Sequence, residues 1–228
     1  MTVHESVICP DDLGELLALN PNSELIRGAR RIGACRFKRP MDVVGSVLGL
    51  VILSPILVLI ALFIRMGSAG SPIFGQRRTG EGGRTFVIYK FRTMRVLEDG
   101  PTIVQAARDD DRITGFGRFL RRTSLDELPQ LINILKGDMS LVGPRPHAVA
   151  HDEYYGLAIP GYNERFLTRP GLTGLAQVSG FRGRTEELRD MAARVDKDLE
   201  YIRTWSIGLD MRILLKTILI FAFHPAAY

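Results

Sequence analysis

From Val43 to Ile64 the chain runs for 22 residues without a charged side chain, and no other feature limits its fold so strongly. About 18 consecutive apolar residues suffice to cross the roughly 30 Å of hydrocarbon in a bilayer, so the block reads as a membrane helix. A buried helix of a soluble core has the same composition and is the competing reading. The flanks bear on its course. Arg36, Lys38 and Arg39 precede it and Arg65, Arg77 and Arg78 follow; positive residues mark the cytoplasmic side of a membrane. Matched basic flanks fit two ends on one face. Ser54 and Pro55 lie in the middle of the block. A proline there removes a backbone hydrogen bond and kinks the helix, and a serine hydroxyl satisfies part of what is freed. The expectation is a re-entrant helix, broken at Ser54 and Pro55, that dips into the bilayer and returns.

The chain is otherwise basic, with a formal charge of +5 over 228 residues and Arg far outnumbering Lys. Such a chain suits phosphate on nucleotides, nucleic acid or anionic lipid, and charge alone does not choose among them. Cys9 and Cys35 stand at no metal-ligand spacing and define no disulfide framework, which fits a cytosol-facing protein. Residues 1–35 show no sustained period and carry Pro10, Pro21 and Gly28, with a basic cluster at Arg27, Arg30, Arg31 and Arg36. They read as a weakly ordered extension, and no apolar segment like that of a signal peptide follows the start.

After the apolar block the pattern changes. Pro72–Arg77 and Arg84–Phe91 are rich in β-branched and aromatic residues, with Thr79-Gly-Glu-Gly-Gly83 between them. A β-hairpin is expected, delivering Lys90, Arg92 and Arg95 close together. Gly80, Gly82 and Gly83 are turn residues rather than a phosphate loop, because no Gly-Lys-Ser/Thr follows. Residues 98–112 are polar, and Asp109-Asp-Asp111 reads as a solvated loop, with metal ligation as the alternative. Ile113, Phe116, Phe119 and Leu120 fall at helical spacing with Arg118, Arg121 and Arg122 off that face. That pattern suits a membrane surface or a core-facing helix.

Arg121-Arg-Thr-Ser-Leu-Asp-Glu-Leu-Pro-Gln130 then places two adjacent carboxylates before Pro129. With Asp126 as N-cap, Pro129 falls at N3, where its missing N–H costs nothing; with Ser124 as cap it would cost a hydrogen bond. The expected start is therefore Asp126, among free N–H groups that favour carboxylate and phosphate alike. An ordinary structural cap is the plain alternative. Gln130–Lys136 is a short helix stopped by Gly137. Pro144 and Pro146 leave Arg145 little backbone freedom, which suits a phosphate clamp; a surface loop with an incidental arginine is the alternative. A helix-like segment runs from His147 to Gly156, and Thr168–Val178 reads as a loop entering a short strand. Residues 185–204 form a charged amphipathic helix, and Ile207–Phe223, with Asp210, Arg212 and Lys216, suits the membrane interface.

In this order the segments resemble the bacterial monotopic polyprenyl-phosphate phosphoglycosyl transferases, the bacterial sugar transferases. The matching features are Lys38-Arg-Pro-Met-Asp42, Ser54-Pro55, Lys90-Phe-Arg-Thr-Met94, Thr123-Ser-Leu-Asp-Glu-Leu-Pro-Gln130, Gly137–Pro146 and Arg169-Pro-Gly-Leu-Thr-Gly174. They span residues 36–228. The run Gly143–Glu153 with Gly180–Glu186 is similar to the exopolysaccharide hexose-phosphate subgroup, from which Leu175 and Phe181 depart at usually aromatic positions. Long members carry further N-terminal membrane helices, so this chain is expected to be a version with the catalytic domain alone.

The resemblance implies transfer of a hexose 1-phosphate from a UDP-sugar to undecaprenyl phosphate, with release of UMP, at the cytoplasmic face of the bacterial inner membrane. It implies Asp126 as the nucleophile of a covalent aspartyl-phosphosugar intermediate, Glu127 as its dyad partner, and Mg²⁺ at Asp126 and the diphosphate. Lys90, Arg92, Arg121 and Arg145 are the candidates for substrate phosphate and nucleotide. An N-acetylamino-sugar phosphate, or a non-catalytic membrane-anchored scaffold, are the alternatives. Anionic lipid is an expected partner, nucleic acid is not, and self-association into a homo-oligomer is left open. The expected fold is α+β: an extension over 1–35, a re-entrant membrane helix hairpin over 36–68, and a mostly helical catalytic domain over 69–228 with a β-hairpin and interfacial helices.

Overall fold

The computed structural model describes residues 24–67, 70–95, 110–181, 183 and 187–223. The helices in chain order are α1 (Glu24–Ala34), α2 (Lys38–Gly67), α3 (Gly115–Thr123), α4 (Gln130–Lys136), α5 (Val149–Ala158), α6 (Leu175–Val178), α7 (Leu188–Thr204) and α8 (Ile207–Phe223). The strands are β1 (Ile73–Thr79), β2 (Thr85–Phe91), β3 (Ser140–Val142) and β4 (Gly171–Thr173). The result is the mixed helical architecture expected, with two small sheets.

The break expected at Ser54 and Pro55 is not seen: α2 continues through Pro55 for 30 residues. The carbonyl that Pro55 leaves without a partner belongs to Val51, and the Ser54 hydroxyl donates to it at 2.8 Å. The serine therefore repairs the bond that its neighbour removes. Both halves of α2 lie against the rest of the molecule. Near its start, Gly45 and Gly49 let the helix close on Leu141 and Leu131, where an added Cβ would come within 2.7 and 3.1 Å of those side chains. Near its end, Ile60 and Ile64 are buried with Phe91 and Leu120. Between and around them Val51, Ile52, Val58, Leu59, Leu62 and Phe63 are exposed.

A buried ionic group fixes the start of α2. Lys38 Nζ donates to Asp210 Oδ2 at 2.8 Å and to the Val142 carbonyl at 3.1 Å. The Leu141 amide donates to Asp42 at 3.0 Å, and Trp205 Nε1 to Asp210 at 3.2 Å. Arg39 donates to the Ile134 and Leu135 carbonyls at the end of α4, where the helix dipole favours a cation. Of the charges that marked α8 as interfacial, Asp210 is thus turned fully inward, while Arg212 and Lys216 are exposed.

The β-hairpin forms as expected, with Ile73 opposite Phe91 and Thr79 opposite Thr85. β3 and β4 pair in parallel, Ser140 with Gly171 and Val142 with Thr173. Their junction explains two glycines: a Cβ on Gly143 would stand 2.5 Å from the Arg169 carbonyl oxygen, and one on Gly171 2.1 Å from the Gly143 nitrogen. The main core gathers Ile88, Ile134, Met139, Val142, Tyr162, Met191, Val195, Ile202 and Ile213 between the hairpin, α4, α7 and α8.

Two further expectations need correction. Residues 24–34 of the supposed weakly ordered extension form α1, which packs on α7. Ile26 is buried, Gly28 sits where a Cβ would lie 2.0 Å from the Ile202 carbonyl oxygen, and Arg31 donates to the Arg203 carbonyl. Gly28 is a contact point rather than a breaker. Beyond β4 the chain turns into α6 rather than extending the strand through Val178. In the acidic run, Asp110 pairs with Arg112 Nε and Nη2 at 2.9 and 2.7 Å and Asp111 is exposed. Residues 1–23, 98–109 and 184–186, on which parts of the sequence reading fall, lie outside the described residues.

Candidate active site

The acidic pair does not begin as the proline argument predicts. Thr114 caps α3, its Oγ1 accepting from the Gly117 amide at 2.9 Å. The helix ends where Ser124 adopts a left-handed conformation, φ 52°. A 3-10 turn over Leu125–Glu127 follows and passes into α4 at Pro129. The boundary residue is therefore Ser124, not Asp126. Pro129 is tolerated because the turn is 3-10: the Leu128 amide already serves the Leu125 carbonyl, and regular bonding resumes from the Leu131 and Ile132 amides. Released from capping, the Asp126 carboxyl points inward, with the residue only 8% exposed.

Two elements converge on Glu127. From β2, Lys90 Nζ donates to Oε1 at 2.8 Å. From the loop after β3, Arg145 clasps both carboxylate oxygens, Nη1 to Oε2 at 3.0 Å and Nη2 to Oε1. The rigid Pro-Arg-Pro turn thus serves Glu127 directly. Arg121 stands behind, held by Nε to Thr93 Oγ1 at 3.0 Å and by Nη2 at 3.1 Å from Met94 Sδ. Arg92 is turned toward the Gly70 carbonyl oxygen at 3.5 Å. The structure therefore brings together Lys90, Asp126, Glu127 and Arg145, with Arg121 at their edge, and directs Arg92 elsewhere.

The two carboxyls differ sharply. Burial pushes Asp126 up to about 6, the neighbouring Glu127 charge adds to that, and Lys90, Arg121 and Arg145 only partly oppose it. Burial acts the same way on Glu127, but Arg145 and Lys90 outweigh it and hold that group well below the usual range. Burial also lowers Lys90, against the pull of Glu127. Among the described residues no donor bonds the Asp126 carboxylate. One acid is ionised and saturated, the other desolvated, more basic and unmatched. A pair whose environments drive their titrations apart is the usual arrangement for dividing roles in catalysis.

No group of three or more His, Cys, Asp or Glu among the described residues forms a ready metal cage. Mg²⁺ needs none, since it is commonly bound by one or two carboxylates together with substrate phosphate and water. The unmatched Asp126 oxygens fit that mode, whereas Glu127 is already taken by two cations.

Beside the dyad opens a cavity of about 160 Å³, with Ser124, Glu127 and Arg145 at its polar side and Leu128, Leu141, Leu172, Leu214 and Ile218 among its apolar walls. Behind Arg145 lies a buried polar group that sequence reasoning missed: His147, Asp152, Tyr162, Arg165 and Asp198. The Tyr162 hydroxyl donates to Asp152 Oδ1 and lies 2.6 Å from His147 Nδ1, and Arg165 Nε donates to Asp198 at 2.9 Å. His147 follows Pro146, but nothing in local spacing links it to Arg165 or Asp198.

Beside this basic, dicarboxylate site lies one helix, among the described residues, that is long and apolar enough to cross a membrane. Residues 33–224 match the bacterial sugar transferase family, and the chain belongs to it. It is 51% identical over 212 residues to a UDP-glucose:undecaprenyl-phosphate glucose-1-phosphate transferase of Caulobacter vibrioides, covering 92% of this chain and 78% of the relative. To the Escherichia coli protein of the same name it is 49% identical, over 84% of this chain and 41% of that one. A UDP-N-acetylgalactosamine-undecaprenyl-phosphate N-acetylgalactosaminephosphotransferase of Aeromonas hydrophila is 39% identical, over 79% and 42%. The chain thus spans only about two fifths of the length of the last two.

Proposed function

We propose that this protein transfers glucose 1-phosphate from UDP-glucose to undecaprenyl phosphate, releasing UMP, with Asp126 as nucleophile. The observation that carries the reading is the asymmetry of the dyad: Asp126 is raised to about 6 and has no hydrogen-bond donor among the described residues, while Lys90 and Arg145 fix Glu127. At neutral pH Asp126 is mostly ionised yet more basic than an ordinary aspartate, as a carboxylate attacking phosphorus needs. Its oxygen attacks the sugar-bearing phosphorus, the bond to the bridging oxygen breaks, and UMP leaves with that electron pair. The acceptor phosphate then attacks the same phosphorus and displaces Asp126, which leaves an undecaprenyl diphosphate sugar. Lys90, Arg121 and Arg145 set three cations against two carboxylates, so the site favours an incoming diphosphate. Asp126 would hold Mg²⁺, which would supply further charge neutralisation at the diphosphate.

The acceptor's chemistry fits the cavity beside the dyad, apolar along its walls with Arg145 and Glu127 at its polar side. Its volume is close to the roughly 150 Å³ of an apolar cavity known to admit benzene, enough for the first part of an isoprenoid chain. For membrane placement we propose the re-entrant course at the cytoplasmic face. A spanning α2 would carry one end about 30 Å from the catalytic body, yet Gly45 and Gly49 near one end and Ile60 and Ile64 near the other pack on that same body. Exposed Phe119 on α3 and Leu215, Ile218 and Leu219 on α8 extend the apolar surface.

UMP release from UDP-glucose, in the presence of undecaprenyl phosphate and Mg²⁺, tests the reaction. It should appear with the wild-type protein and vanish in Asp126→Asn. Faster release from UDP-N-acetylgalactosamine would reassign the sugar, and release by Asp126→Asn at the wild-type rate would unseat the nucleophile.

A further inference from the structure

Pro144 and Pro146 restrict the backbone around Arg145, but they do not decide where the loop points. Behind the loop lies Arg165, which is 2% exposed and belongs to the 3-10 turn Tyr162–Leu167. Its Nη2 donates to the carbonyl oxygen of Arg145. Its Nε donates to Asp198 Oδ2 on α7 at 2.9 Å, and its Nη1 lies 3.2 Å from His147 Nδ1. The guanidinium also lies over the Tyr162 ring, 4.9 Å from its centroid. Every edge of the fork is thus engaged: α7 on one side, Tyr162 on its face, and the loop that bears Arg145 in front. The residue whose backbone it holds is the one whose side chain clasps both oxygens of Glu127.

We propose that Arg165, locked by Asp198, is a positioning residue that aims Arg145 at Glu127 and at the substrate diphosphate. This inference rests on the dyad reading above. Arg165 bonds neither carboxylate of the dyad, so it acts only through Arg145. Lysine cannot replace it, because a single ammonium lacks the planar fork that reaches Asp198 and the Arg145 carbonyl together.

A double-mutant cycle on UMP release tests the link, since residues acting through one another give non-additive losses. Arg165→Lys should lower kcat about tenfold with little change in KM, in line with the cost of a small misplacement of a catalytic group. In an Arg145→Lys background the same change should cost less than about twofold, because the side chain being aimed has already lost its bidentate grip. Losses that multiply in full would overturn the proposal, since a merely structural role is indifferent to residue 145. Thermal melting of each variant reports folding. Should Arg165→Lys fail to fold, Asp198→Asn, which loosens the same fork at constant volume, takes its place in the cycle with the same two outcomes. Wild-type activity separates the layers: no UMP from any UDP-sugar refutes the transferase reading itself, whereas robust release with additive losses refutes only the coupling.

Discussion

Asp126→Asn should abolish turnover and at the same time make the folded protein more stable. Asp126 is pushed up to about 6 in the fold from an ordinary 3.8, chiefly by burial and then by Glu127. A raised carboxyl pKa means that ionisation opposes folding: the penalty is full above the folded value and fades as pH falls toward the unfolded one. Linkage gives a penalty of about 3 kcal/mol at pH 7.5, falling to about 1 kcal/mol at pH 4.5. Asparagine keeps the shape and removes the charge, but leaves an amide short of partners at a cost of about 1 kcal/mol. The net gain is about 2 kcal/mol at pH 7.5, or a melting temperature higher by roughly 4–8 °C for a protein of this size. Near pH 4.5 the gain should be close to nil. Melting wild type and variant in lipid nanodiscs at both pH values measures this. A variant that melts no higher than wild type at pH 7.5, or gains equally at both, would refute the claim that Asp126 is held ionised against its environment.

Other consequences follow from the same geometry. Lys90→Met removes a charge that lowers Asp126, so the acid limb of the pH–rate profile should move above about 6; a limb left in place would show that Lys90 does not act on Asp126. Lys38→Met strands Asp42 and Asp210, which are 1% and 0% exposed, and should destabilise the protein by about 3–5 kcal/mol in urea or thermal unfolding. In a variant lacking Cys9 and Cys35, cysteines placed singly at Arg36 and Met66 should both react with a membrane-impermeant thiol reagent only from the cytoplasmic side. Labelling of the two from opposite sides would mean that α2 spans.

Much of this was legible because it is local. The apolar block, the hairpin, the Gly137 stop and the Pro-Arg-Pro turn are each written in a few adjacent residues, and Ser54 answers Pro55 three residues from the carbonyl that it repairs. What stayed hidden depends on partners far along the chain. Asp210 looked like a mark of an interfacial helix because its partner, Lys38, lies 172 positions away. Gly28 looked like a breaker because the carbonyl it accommodates belongs to Ile202. The start of the acidic helix was misplaced for another reason: cap rules weigh one α-helix at a time, whereas a 3-10 turn lets Ser124 take the boundary and frees Asp126. The hairpin also grouped Arg92 with Lys90, but the strand ends at Phe91 and Arg92 donates to the Gly70 carbonyl instead.

The central claim is a covalent phosphosugar on Asp126, and it can be weighed directly. Incubation of the protein with UDP-glucose and Mg²⁺, without lipid acceptor, followed by intact-mass and peptide mass spectrometry, should show one added hexose phosphate on the peptide bearing Asp126. The adduct should disappear on addition of undecaprenyl phosphate and never form in Asp126→Asn. UMP release that requires the acceptor from the outset, with no adduct at any time, or an adduct on Glu127 instead, would contradict the account.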